Sequence, residues 1–280
     1  MYWLVEKSQL TVGEGFNCPR LYSKCSVVTT SVEYNLKQKV TESTDKIIFG
    51  HKTDGEVEIE LGFGEGEISV AIDDCLRAMK TGETQKVSVN VTKQFGTLCE
   101  GDTILFTIKL ASFQHAVPLY EMTSDECLSL AQRLKEIGTG LFNDKRTHLA
   151  GTFYSKALKQ LIILSSLEDS LLQEDTEKLL IACHSNLAAC QLKLGLYDHV
   201  VENCSDALAL DCNHLKALYR RASAFLALHD SERAQADVDQ GLQIDPSNKM
   251  FISLKKELIK THSAEDKLLS QRLSSMFSTS

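Results

Sequence analysis

Two stretches of this chain repeat each other 34 residues apart. Asn186-Leu-Ala-Ala-Cys-Gln-Leu-Lys-Leu-Gly195 overlays on Arg220-Arg-Ala-Ser-Ala-Phe-Leu-Ala-Leu-His229. The same step puts Ala188 on Ala222, Val200 on Ala234, Leu210-Asp211 on Ile244-Asp245 and Cys212 on Pro246. Self-similarity at a fixed period marks a chain of stacked supersecondary units, none of which can bury its apolar face alone. The period therefore constrains the fold more tightly than any single motif.

The pattern changes near residue 120. Residues 1–117 read as β: Cys25–Tyr34 is rich in β-branched residues, while Val57–Leu61, Gln85–Val91 and Thr103–Leu110 alternate apolar and polar side chains. One helix is expected between them, about Ser69 to Met79, stopped by Gly82. Proline biases its predecessor toward extended backbone, so Val117-Pro118 is the natural joint. From Ser124 the pattern is helical. The reading is an α+β domain over 1–117, a helical repeat array over 124–262 and a capping helix over 263–280. In that last segment Ser263-Ala-Glu-Asp266 reads as a capping box before the apolar stripe Leu268, Leu269, Leu273, Met276 and Phe277.

Composition removes several function classes. A net charge of -8 argues against a general nucleic-acid binder. The chain has no 18-residue apolar run and no signal-peptide pattern, so no membrane partner is expected and the cytoplasm, or also the nucleus, is the expected location. Nine cysteines without a Cys-x-x-Cys pair read as small buried hydrophobes, Cys183, Cys190 and Cys204 among them. No metal site, cofactor or catalytic residue is assigned. Gly62-Phe-Gly64-Glu-Gly66 lacks the lysine of a phosphate loop and reads as a turn. Asp73-Asp74 does not make a convergent acid/base pair, because neighbouring helical residues diverge by about 100°, and it reads as a solvated helix face.

The 34-residue period, with small residues at helix-crossing positions, resembles the tetratricopeptide repeat (TPR), a helix-turn-helix unit whose stacks form a peptide-binding groove. Gly138, Ala150 and Ala157 fit the small-residue positions of a first repeat; the second runs about 176–211 and the third about 213–245. Thr139 and Asn186 are 47 residues apart, about 16 more than a regular repeat gives. Immunophilins with helical repeats look similar here, with a lengthened helix and loop. Lys216 and Arg220 share a helix face, which costs about 0.2–0.5 kcal/mol in an isolated helix. The set Lys135, Asn186, Lys216 and Arg220 resembles the carboxylate clamp of chaperone-binding repeats, with Thr139 where that family has a second asparagine. The resemblance implies capture of the Glu-Glu-Val-Asp end of heat-shock protein 90 or its 70-kDa relative. Lysine and arginine suit a chain end carrying two carboxylates.

The front half resembles the FK506-binding protein (FKBP) family over Tyr22–Phe113. The carriers are Val32-Glu-Tyr34, Leu61-Gly62, Ile68, Ile72, the run Met79-Lys-Thr-Gly82-Glu83, and Phe106. That family isomerises X–Pro bonds, a barrier of about 20 kcal/mol, by holding the amide in an aromatic pocket. Here Ile72 replaces the floor tryptophan, Gly50 replaces an aspartate, and the loop after Phe95-Gly96 shrinks to Thr97–Glu100. A residual pocket would consist of Tyr34, Phe49, Ile68, Ile72, Phe95 and Phe106.

Taken whole, the chain resembles the FK506-binding-protein-like branch of the immunophilins: an antiparallel sheet wrapped on one short helix, then a TPR solenoid. The resemblance implies an adaptor between heat-shock protein 90 and client proteins such as steroid receptors. Two alternatives stand beside it: an active prolyl isomerase with a docking module, and a scaffold for some other protein C-terminus.

Overall fold

A computed structural model describes residues 3–14, 17–37, 48–50, 53, 55–165 and 173–260. The chain divides into two compact units, Met1–Met122 and Thr123–Ser280.

Among the described residues the first unit is a five-stranded antiparallel sheet packed on the short helix Ser69–Leu76. Its strands are β1 (Trp3–Thr11), β2 (Lys24–Asn35), β3 (Glu56–Glu60), β4 (Thr84–Val91) and β5 (Thr103–Gln114), ordered β1-β4-β5-β2-β3. The alternation read in β4 and β5 is real. Val87, Val89 and Val91, with Ile104, Phe106, Ile108 and Leu110, face the core, as a period of two requires. β1 was not legible in the sequence. Only Trp3 and Val5 pack against the core, while Leu4 and Leu10 are exposed. Backbone pairing with β4, not an apolar pattern, makes it a strand.

The helix α1 (Ser69–Leu76) is shorter than expected. Beyond it the amides of Ala78 and Met79 donate to the carbonyls of Cys75 and Leu76, three residues back, so the last turn tightens. Met79 is still buried. The expected solvated aspartate pair needs correction. Asp74 is exposed beside Arg77, but Asp73 is buried and accepts the amide of Gly62 at 3.0 Å. A buried carboxylate needs such a donor, and it fixes the turn after Leu61. Gly66 is required sterically, since a Cβ there would overlap the backbone of Phe49.

The second unit is a helical array: α2 (Ser124–Asn143), α3 (Thr147–Ser165), α4 (Gln173–Lys193), α5 (Tyr197–Leu210), α6 (Leu215–Ala227), α7 (Ser231–Ile244) and α8 (residues 249–260). A capping box starts α2: Thr123 accepts the amide of Glu126, whose carboxylate accepts the Thr123 amide at 2.8 Å. Gly138, Ala150, Ala157, Ala188, Val200, Ala207, Ala222, Ala234 and Gly241 are all buried. These are the small positions of three successive repeats, and they let helices approach closely. At Gly241 a Cβ would strike the ring of Phe251 on α8.

Between the two helices of each repeat the chain turns through one left-handed residue: Lys145 (φ 63°), Gly195 (φ 72°) and His229 (φ 61°). Each stands seven residues after the small residue of its first helix. The inserted sequence lengthens helices. α3 and α4 have 19 and 21 residues, against 14 and 13 in α7 and α6. The segment read as a capping helix, 263–280, lies outside the described residues.

Candidate peptide-binding groove

Three helices carry the residues named from the sequence. Lys135 and Thr139 stand on α2, Asn186 on α4, and Lys216 and Arg220 on α6. A cavity of about 330 Å³ opens among the helices, lined by Phe142 from α2, Ala189, Leu192 and Lys193 from α4, Leu215, Lys216, Tyr219 and Arg220 from α6, and Asn248, Met250 and Phe251. It therefore brings Lys216 and Arg220 together, while Lys135, Thr139 and Asn186 lie outside its lining.

Sequence reasoning missed Lys193, Phe142 and Tyr219. A signal was available. Lys193 follows Asn186 by seven residues, two turns of one helix face, and Phe142 follows Lys135 by the same step. The Lys193 ammonium lies 3.8 Å from the centre of the Phe142 ring. That cation–π contact tethers the lysine at the cavity wall and leaves its charge unneutralised.

The electrostatics separate two neighbouring arginines. Arg221 makes a two-pronged pair with Asp237 of α7, at 2.9 and 2.7 Å. That hydrogen-bonded partner pushes its pKa up. Arg220 is half-buried, and burial pulls its pKa down. Its Nη1 donates to the carbonyl oxygen of Ser185 at 2.7 Å and to the Ser185 hydroxyl. Among the described residues no carboxylate pairs with Arg220, Lys216, Lys193 or Lys135. A guanidinium withdrawn from water without a counter-charge is held ready for an anion.

Thr139 is already engaged. Its hydroxyl donates to the Lys135 carbonyl at 2.9 Å and accepts from the Tyr154 hydroxyl at 3.2 Å. A ligand oxygen there competes with an internal bond. The buried thiols of Cys183, Cys190 and Cys204 have pKa values pushed up to about 12 by burial, so they are protonated packing groups.

The sheet unit presents a different picture at its six named residues. Phe49, Ile68, Ile72 and Phe106 are at most 2% exposed and Phe95 is buried. Tyr34 is half-buried against the same core. The Phe49 ring meets Phe106 edge-on at 5.2 Å, and Phe95 meets Trp3 at 5.1 Å. The shortened loop closes as a tight turn, with Phe95 and Leu98 exchanging backbone hydrogen bonds. The buried Glu67 carboxylate pins that turn, accepting the Thr97 amide and hydroxyl, each at 2.8 Å. The aromatic set packs on itself and on the sheet, with almost no surface left for a substrate amide.

No family model matches the chain. The FK506-binding protein-like protein of Rattus norvegicus is 30% identical over 278 residues, covering 97% of this chain and 70% of that protein. The chain belongs to the FKBP-like immunophilins. The peptidyl-prolyl cis-trans isomerase FKBP4 of Bos taurus is 32% identical over 250 residues, 85% of this chain. The chain spans about half the length of that relative, 50%. The C-terminal TPR-containing domain of a Plasmodium falciparum FK506-binding protein, PFL2275c, superposes with a TM-score of 0.51 at 25% identity, covering 54% of this chain and 99% of that domain. The immunophilin architecture of an FKBP-like sheet unit followed by repeats is thus shared. In this immunophilin no helix of the described residues is long and apolar enough to cross a membrane.

Proposed function

We propose that the helical unit docks on an acidic protein C-terminus of the kind that ends heat-shock protein 90, and that the chain is a co-chaperone adaptor. The single observation that carries this reading is Arg220, half-buried with no carboxylate partner among the described residues, at a cavity that Lys193 and Lys216 also line. Charge-assisted bonds from these groups suit a ligand with several carboxylates. The rest of the lining, Leu192, Leu215, Tyr219, Met250 and Phe251, suits one apolar side chain near them. In this reading the sheet unit serves as a surface for client proteins, and its packed aromatic residues support a structural role.

The test is calorimetry with a Met-Glu-Glu-Val-Asp peptide. Binding is expected, weakening as salt rises. Lys216→Ala and Arg220→Ala should each cost about tenfold or more in affinity. No binding, or binding that both variants leave intact, would remove the docking reading. Prolyl isomerase turnover lost in Phe106→Ala would overturn the adaptor-only assignment of the sheet unit.

A further inference from the structure

We infer that Ser185 is a positioning residue that sets the orientation of Arg220 in the groove. The inference rests on the docking reading and deepens it. An arginine side chain carries about 2 kcal/mol of rotamer entropy. Spending that at the moment of binding weakens a complex, and spending it beforehand strengthens one.

Ser185 is 2% exposed on α4, 35 residues before Arg220 on α6. One nitrogen of the guanidinium, Nη1, donates to both its carbonyl and its hydroxyl. Both acceptors are neutral, so the contact orients the group without cancelling its charge. Nε and Nη2 have no partner among the described residues and are left for a carboxylate fork. Ser185 precedes Asn186, so α4 supplies the brace from the residue beside the clamp asparagine. The neighbouring Arg221 is oriented instead by Asp237, which neutralises it. A neutral brace at 220 and a charged one at 221 is what separates a binding arginine from a structural one.

Ser185→Ala removes the hydroxyl and keeps the backbone carbonyl. Alanine is the better helix former, so the variant folds. With the full chain and the Met-Glu-Glu-Val-Asp peptide, Ser185→Ala should weaken binding by about tenfold, the low end of what one hydrogen bond to a charged group is worth. Ser185→Thr should restore most of it. In an Arg220→Ala background Ser185→Ala should have no further effect. An equal loss in both backgrounds would overturn the inference, and so would no loss at all. A second readout needs no peptide. In the unliganded protein, nuclear magnetic resonance of the Arg220 guanidinium should show restricted rotation about Cζ–Nη1 that becomes severalfold faster in Ser185→Ala. Unrestricted rotation in the wild type would overturn the brace itself. Peptide binding that fails while this restriction is seen would count against the docking reading alone.

Discussion

The two units hold their chemically capable residues in opposite ways. In the sheet unit Phe49 and Phe106 are buried against each other in the core, and Phe95 is buried against Trp3. In the helical unit Lys193, Lys216 and Arg220 line a cavity and have no carboxylate partner among the described residues. A side chain whose interactions are satisfied internally adds stability and little else. A charge held without a counter-charge costs stability, and that cost is recovered when an anion binds. The family's framework is present in both units, and open chemistry is concentrated in the second.

The widest separation between the units should come from Phe106→Ala. Emptying so large a buried volume should destabilise the sheet unit by about 3–5 kcal/mol and leave peptide affinity unchanged. Chemical denaturation followed by calorimetry checks both halves. Peptide affinity falling in parallel would show that the two sets of residues are not independent.

The next contrast lies inside α6. Arg221→Ala strands the buried Asp237 carboxylate and should cost about 2–4 kcal/mol of stability, with a small effect on binding. Arg220→Ala should do the reverse, costing about tenfold or more in affinity and little in the thermal melt. Matching effects from the two variants would erase the distinction between a structural and a binding arginine.

A smaller effect should appear with pH. Burial holds His214 and His148 below the ordinary histidine range. His214 also caps α6, its Nδ1 accepting the Ala217 amide at 3.3 Å, which a protonated Nδ1 cannot do. A folded-state pKa below the unfolded value means the stabilisation is complete above the unfolded pKa, about 6.5. It is lost as pH falls through the folded value. The helical unit should therefore weaken below about pH 6.5. His214→Asn, which keeps a cap and removes the titration, should flatten part of that slope in melts at stepped pH.

The smallest expected change is a gain. His229 holds the left-handed turn conformation that Gly195 holds in the preceding repeat. His229→Gly should stabilise the repeat by up to about 1 kcal/mol, because a Cβ is strained there. A loss in the thermal melt would mean that the histidine side chain makes up for the strain.

Much of the fold is legible in the sequence. The period and the repeat pattern located seven crossing residues, Gly138, Ala150, Ala157, Ala188, Val200, Ala222 and Ala234, and all seven are buried. The alternation of Gln85–Val91 and Thr103–Leu110 located two inner strands. β1 was not legible because an edge strand is held by its neighbour's backbone, and its own side chains mostly face solvent. Asp73 was misread because adjacent helical residues were given one environment. Lys193 was passed over because the family pattern was matched position by position, when the face two turns along α4 would have reached it.

Arg220 and Arg221 show where the sequence stops. The sequence determined that two arginines stand side by side on a repeat helix, one of them in line with Lys216. Only the tertiary structure decided that they do different things. Their side chains leave the helix about 100° apart, so one meets Asp237 on α7 and the other meets Ser185 on α4. Whether a charge is neutralised or kept available depends on partners 16 and 35 residues away, and helix packing, rather than local pattern, sets those distances.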